Sequence, residues 1–483
     1  MKIAVVWFKR DLRTTDHLAL KLALKSGLPV CGVYLFEPSL LKHELYSERH
    51  HRFICQSIAH VKSGLEAYGI PFFTFENNAE VSFSMLAEHY EIQEVFGHAE
   101  TGIDLTFKRD LQMKSWFKAK GITWSEFQSN GIHRGRRDRY RWKEQWYSYM
   151  NQPLDQPDFL AYEHKSFQWS VDFSSATAHV EISKHFQPGG ERNGMAYLKS
   201  FFESRGKSYA YHISKPAESR TSCSRISPYL AWGNMSVRQA YQASKGHENK
   251  LGWKRSIQGF QSRLRWHCHF IQKFEMESSS EFELFNEGYS SIPFKKNLEH
   301  FERWKNGRTG IPLVDACMRC LTETGYINFR MRAMLVSFHS HHLFLHWKQG
   351  ADYLAQLFLD FEPGIHFPQF QMQSGLTGIH ALRIYNPTKQ SQDHDPEGAF
   401  IKKWIPELSE VPIAFIHEPW KMTAIDEVFE GVNVPKLYKQ PIVNVEAAAR
   451  DARDLIWSWR KRESVQEESE RILKKHTLPG RMT

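Results

Sequence analysis

Cysteine is scarce and unpatterned: six residues, at 31, 55, 223, 268, 317 and 320, form no disulfide-like framework. That excludes a disulfide scaffold and fits a reducing compartment. Cys317 and Cys320 make one isolated CxxC with no second pair nearby, so no zinc or iron–sulfur centre is expected there. Long apolar runs are missing as well. The N-terminus offers six apolar residues, Ile3 to Phe8, before Lys9-Arg10-Asp11, too short for a secretory core. No stretch approaches the ~18 apolar residues of a membrane span. Neither G-x-G-x-x-G nor G-x-x-x-x-G-K-[ST] follows the first apolar run, which argues against an ordinary dinucleotide or P-loop site there. No repeat at a solenoid period is present. These absences predict a cytoplasmic or DNA-associated protein without a membrane partner.

What is abundant is aromatic and basic. Trp, Tyr and Phe number 15, 18 and 34, and the net charge is +9. The rings serve helix packing or stacking on a flat cofactor or base. The charge favours phosphate-bearing partners.

Ile3–Phe8 reads as a buried parallel strand. Pro29–Leu35, Ile70–Phe75, Glu94–Phe96 and Ile122–Phe127 are further strand candidates. Helical stretches near 16–26, 48–68, 80–90 and 104–119 separate them. Strands alternating with helices predict a right-handed parallel α/β sheet. The character changes after about residue 130. Residues 133–143 are basic with interleaved aromatics, and 151–190 are polar and punctuated by Pro153, Pro157 and Pro188-Gly189-Gly190. From about 191 the pattern is helical, with loops expected at 214–223, 278–293, 307–312, 362–378 and 386–397 and a frayed charged tail from about 463. The expected organisation is an N-terminal parallel α/β (Rossmann-like) domain, 1–132, a connector, 133–190, and an all-α domain, 191–483.

Three segments could carry chemistry. In Thr221–Leu230, Ser224 or Ser227 caps a helix with Pro228 in its first turn, or the hydroxyls and free N–H groups bind a pyrophosphate. Arg330 and Arg332 sit in an apolar helical segment, so at least one is expected buried and paired, with Asp360 or Glu362 as partner. His339, His341, His342 and His346 crowd one segment without the HExxH spacing and are expected to be structural or solvent-facing.

Five motifs in order across some 400 residues then resemble the photolyase/cryptochrome family. They are Trp7–Arg13 with Asp16–Leu20; Ser224–Leu230 with Gly233; Gly307–Gly310 with Pro312–Ala316, Met318-Arg319 and Thr324-Gly325; Arg383–Pro387; and Trp404–Leu408. The resemblance implies a helical FAD-binding domain. Tyr209 (with Tyr211 as the alternative), Ser224, Arg225, Ile226 and Ser227 would contact phosphates and ribose. Arg332 would pair with Asp360 beside the isoalloxazine, Glu362 would face its polar edge, and His366 would lie nearest N5, where most photolyases have Asn. Arg330, Met372 and Arg383 would face DNA. The α/β domain would have room for a second, antenna chromophore.

The departures from the family are specific. Of its three-tryptophan electron relay only Trp347 stands, with Phe370 at the proximal and Phe294 at the distal position. Trp304, Trp266 and Tyr353 are candidates for another route. Met372 replaces a pocket tryptophan, and Arg263–His267 stands where the family has a Trp-Arg-Glu run, so the pocket glutamate has no assigned counterpart. The histidine pair of animal-type (6-4) photolyases becomes Ala333 and Ser337, and the four-cysteine cluster of iron–sulfur photolyases is missing. These features resemble a divergent prokaryotic branch. The activity implied is a monomeric, light-dependent DNA photolyase repairing pyrimidine dimers in UV-damaged DNA, cyclobutane rather than (6-4), with His366 and Trp347 as its catalytic residues. The alternatives are a (6-4) photolyase, a cryptochrome-like photoreceptor and a flavin-bearing nucleic-acid-binding protein without photochemistry.

Overall fold

A computed structural model describes residues 1–164, 166–173 and 185–477. Part of the expected connector, at 165 and 174–184, lies outside the described residues, as does 478–483. By contacts the chain forms two compact units. The first comprises 1–203, 225–281 and 359–365; the second comprises 204–224, 282–358 and 366–483.

In the first unit the apolar runs form strands β1 (Lys2–Trp7), β2 (Val30–Leu35), β3 (Phe72–Phe75), β4 (Glu91–His98) and β5 (Thr123–Phe127). All pairings are parallel, in the order β3-β2-β1-β4-β5. Helices Leu18–Leu24, Glu48–Glu66, Ala79–His89 and Asp104–Ala119 connect them. β1 and β2 bury nearly every side chain, which is why they read as unbroken apolar runs rather than alternating ones. Trp7, Phe83 and Phe117 pack edge to face in the core. The strand order reverses between β1 and β4, and such a switch point opens a crevice at the strands' carboxyl ends.

The opening motif also ties sequence-distant segments of this unit together. Asp16, at φ 48, accepts bonds from Ser236 Oγ (2.5 Å), the Asp155 N–H (2.8 Å) and Arg238. His17 caps the next helix, its Nδ1 accepting from the Leu20 N–H. Gly233, at φ +71, lets the chain pass the Arg10 carbonyl, which a Cβ would meet at 2.0 Å.

The second unit is helical. The Gly307–Gly310 motif is a loop clamp: buried Asp315 accepts from the Thr309 N–H, the Thr309 hydroxyl and the Gly310 N–H at 2.6–2.9 Å. Burial pushes its pKa up to about 6 against those bonds. Several expectations need correction. Pro363–Gln373, Pro387–His394 and Ser219–Ser222 are helices rather than loop, and 278–293 contains two 3₁₀ turns. Pro387 occupies the first turn of its helix, where proline's missing N–H costs nothing. The tail is a helix, Glu463–His476, burying Val465, Ile472 and His476. His339, His341 and His342 are buried within a π-helix, Phe338–His342, and only His346 is exposed. All six cysteines are free and buried.

Candidate functional site

Residues expected at the cofactor fall in both units. In the first unit, the helix Ser227–Ala231 starts with Ile226 at its N-cap and no side-chain cap. This corrects the expectation that Ser224 or Ser227 caps it; Ser227 is instead its first residue. Arg225, at φ 60, exchanges two 2.8 Å hydrogen bonds with Gln187, one through its side chain and one through its carbonyl. Tyr229 packs under this turn and donates to the Pro188 carbonyl at 2.9 Å.

The segment 359–365 is held by groups far away in sequence. Arg10 donates to the Phe361 carbonyl (2.6 Å) and the Ala231 carbonyl (2.9 Å), lies 3.5 Å from the Glu362 carboxylate and stacks on Trp232 at 4.5 Å. Trp232 Nε1–H donates to the Leu359 carbonyl at 2.9 Å. Glu362 therefore pairs with Arg10, and sequence reasoning missed this because the partners are 352 positions apart. Burial pushes the Glu362 carboxyl up to about 7, with Arg10 pulling the other way. Burial pushes the nearby His267 imidazole down to about 4, opposed by the charge of Asp360.

In the second unit, Asn328 caps the helix Phe329–Ser337. Arg332 donates from Nε to the Ile327 carbonyl (3.2 Å) and lies over the Phe358 ring at 3.9 Å. Arg330 lies over Tyr385 at 5.8 Å, and its buried Nε–H has no partner among the described residues. Arg383 is exposed and Met372 half-buried. Tyr209 is buried, whereas Tyr211 is 64% exposed. The Ser224 carbonyl accepts from Arg205 at 3.2 Å. His366 is half-buried, and its Nε2 lies 2.8 Å from the Ala351 carbonyl. A carbonyl only accepts, so Nε2 carries the proton and the neutral ring has its lone pair at Nδ1. Trp347 is buried at the start of the helix Trp347–Leu357. Trp304 and Tyr353 lie together, 6.1 Å between ring centroids, whereas Trp266 belongs to the first unit.

These residues suit a flavin nucleotide. Ser224 and Ser227 are half-buried, and neither hydroxyl has a hydrogen-bond partner among the described residues. Ser227 also brings the unbonded N–H groups of a helix's first turn. That is the donor set a pyrophosphate needs, and Arg332 supplies a half-buried cation for an electron-rich ring.

Among the described residues, two cavities of the first unit, of about 330 and 320 Å³, lie at the carboxyl ends of its strands. Arg10 and Glu100 line both. The second is largely aromatic, with Trp7, Phe8, Tyr34, Phe36, Tyr46 and Trp232 around a charged floor of Glu37, Glu100 and Arg109. Arg109 bridges Glu37 and Glu100 at 2.8 Å each. In the β1–β4 crevice, Asp11 accepts from the Lys9 N–H (2.7 Å) and from His98 (2.8 Å), with His17 at 3.1 Å. Burial pushes this carboxyl up, but the two histidines outweigh it and hold it well below the usual range.

A doubly wound sheet with switch-point cavities, a flavin-type donor set at Ser224 and Ser227, and a helical second unit define a nucleotide-cofactor protein of the α/β-plus-helical class. Two family models agree with this class. "DNA photolyase" matches residues 4–141, and "FAD binding domain of DNA photolyase" matches 260–458. Cryptochrome DASH of Gloeobacter violaceus is 28% identical over 479 residues, covering 93% of this chain and 95% of that protein. The deoxyribodipyrimidine photo-lyase of Vibrio cholerae is 28% identical over 451 residues, covering 88% and 94%. Among solved structures, a bacterial class III photolyase from Agrobacterium tumefaciens superposes with TM-score 0.83 at 23% identity, covering 96% of this chain and 98% of that one. An archaeal photolyase from Sulfolobus tokodaii, solved with two FAD molecules, gives 0.75 at 24%, covering 95% and 100%. This chain belongs to the photolyase/cryptochrome family, and its cofactor is FAD. No helix among the described residues is long and apolar enough to cross a membrane.

Proposed function

We propose that this protein is a light-dependent DNA photolyase that splits UV-induced pyrimidine dimers, of the cyclobutane type. The observation that carries the reading is the Arg330–Tyr385 pair with Arg383 exposed two residues before the ring. Arg330 has a buried, unpartnered N–H, which suits a phosphate or a flipped base more than solvent. Arg383 adds a second cation for the DNA backbone, and Met372 offers an apolar contact. Eight Lys/Arg against four Asp/Glu between 295 and 332 support an electropositive surface.

When bound, reduced FAD supplies one photoexcited electron to the lesion and receives it back after the ring splits. This chain's own residues hold and tune that group. Ser224, Ser227 and Tyr209 would contact phosphate and ribose, with Arg225 and Ile226 fixing the turn. Arg332 would balance charge at the isoalloxazine. His366, its Nε2–H engaged by Ala351, would present Nδ1 toward N5: an acceptor when neutral and a donor only as the cation. The aromatic cavity over Glu37, Glu100 and Arg109 suits a flat, polar-edged heterocycle as an antenna. Glu362, paired with Arg10, would act by shaping the 359–365 segment.

Illuminating the reduced, FAD-loaded protein with separate cyclobutane and (6-4) oligonucleotide substrates tests the proposal. Light-dependent restoration of the cyclobutane substrate is expected. Phenylalanine at relay positions 294 and 370 favours the second reading, a blue-light photoreceptor. Photochemistry of the flavin with neither substrate repaired would establish that reading instead.

A further inference from the structure

In the second unit the family's relay positions do not make a continuous path of rings. Among the described residues the only ring contact of Trp347 is with His346, at 6.1 Å. Phe294 meets His346 at 5.1 Å and Phe344 at 5.5 Å. Phe370 contacts neither Trp347 nor Phe294. Its neighbours are His366 at 6.3 Å and His339 at 6.0 Å. From His339 the path continues to Trp304 at 4.7 Å and from Trp304 to Tyr353 at 6.1 Å.

We propose that photoreduction of the bound flavin draws its electron from Trp304, refilled by Tyr353, through His339 and Phe370 to His366, and bypasses Trp347. This route rests on the FAD reading given above. Of the five side chains, the indole and the phenol are the ones that readily give up an electron; Phe370 and the two imidazoles act as bridging rings.

The surroundings of Trp304 fit the role. Trp304 and His339 are fully buried, and neither Trp304 Nε1 nor either His339 ring nitrogen has a hydrogen-bond partner among the described residues. Burial pushes the His339 imidazole down to about 3, so the bridge is uncharged and does not repel a hole on its neighbour. An indole cation formed there has no acceptor for its proton among these residues. It is restored by an electron, not by deprotonation. The ring stack is also built in: a Cβ on Gly350 would lie 2.7 Å from His339 Cε1, so only glycine leaves the imidazole its place.

Tyr353 is half-buried, with its hydroxyl 3.3 Å from the Lys305 carbonyl. The balance is one electron from Trp304 to the photoexcited oxidised flavin, then one electron from Tyr353 to the Trp304 radical cation. The Tyr353 phenol proton leaves to water. A soluble thiol returns one electron and one proton to the tyrosyl radical.

The test uses the full chain with oxidised FAD bound, excited by blue light with and without thiol. Transient absorption and electron paramagnetic resonance follow the radicals, and flavin absorbance reports occupancy. Trp304→Phe should keep FAD but lose photoreduction and the early indole radical. Tyr353→Phe should keep the indole radical and lose its long-lived successor. Trp347→Phe should photoreduce like the parent protein. Ring-deuterated tyrosine should narrow the long-lived resonance. Photoreduction surviving Trp304→Phe, or lost in Trp347→Phe with flavin retained, overturns the route. Should Trp304→Phe not fold, a long-lived radical indifferent to tyrosine deuteration overturns it equally. A parent protein that binds no FAD overturns the reading beneath the route, and the route with it.

Discussion

Replacing Arg10 by Met keeps much of the stem that stacks on Trp232 but removes the cation and its donors. In the parent protein that guanidinium serves the Phe361 and Ala231 carbonyls and faces buried Glu362 at 3.5 Å. Breaking a buried pair while leaving one charge behind costs ~3–5 kcal/mol. The pH dependence separates the charge from the lost hydrogen bonds. Burial lifts the Glu362 carboxyl from 4.5 to about 7 even with Arg10 present. The folded protein therefore holds this proton more tightly than the unfolded chain. Its contribution to stability is fullest below 4.5, falls as the pH rises toward 7 and levels off above, a swing of about 3 kcal/mol at 1.36 kcal/mol per unit. Without Arg10 the folded value rises further, so the decline should be larger and extend above pH 7. Denaturant unfolding of the parent, Arg10→Met and Arg10→Met/Glu362→Gln, each between pH 5 and 9, measures this. At pH 8 the double variant should be more stable than the single one, leaving only the lost hydrogen bonds, ~1–3 kcal/mol each. Equal stability of the two variants at every pH would refute the idea that Arg10 carries the charge of Glu362.

Asp360→Ala should strip or severely weaken FAD, read as flavin absorbance per protein; full occupancy would reject a role for Asp360 at the flavin. Arg330→Ala and Arg383→Ala should each weaken binding of dimer-containing DNA and lower the slope of log affinity against log salt by about 1, with flavin retained. His366→Asn should alter flavin photoreduction and radical decay, since an amide replaces the ring lone pair at Nδ1; identical traces for parent and variant would place His366 away from N5.

The strands were legible because β1 and β2 bury both faces and so leave uninterrupted apolar runs. The helices at 363–373 and 387–394 were not: each opens on a proline, Pro363 or Pro387, which punctuates a sequence although a first helical turn tolerates it. The final helix was hidden by its charge, its buried seam reduced to Val465, Ile472 and His476. Ser224, Ser227 and Arg332 were visible as a local motif. Arg10 was not, for its work is done on carbonyls at 231 and 361, and nothing adjacent in sequence records such pairings. The His339 route was equally hidden. The four histidines suggested structure or solvent, and only the fold shows that one of them bridges Phe370 and Trp304.

The six buried thiols have a practical consequence. A thiolate, not a thiol, attacks disulfides and alkylating reagents, and burial pushes Cys55 and Cys268 up to about 11, with Cys31 and Cys317 raised as well. The folded protein should stay inert to iodoacetamide and to mixed-disulfide exchange at neutral pH. Each modified cysteine then marks a molecule that has opened. Mass spectrometry of alkylated Cys31 and Cys317 would therefore clock the unfolding of the sheet unit and the helical unit separately, without any engineered label.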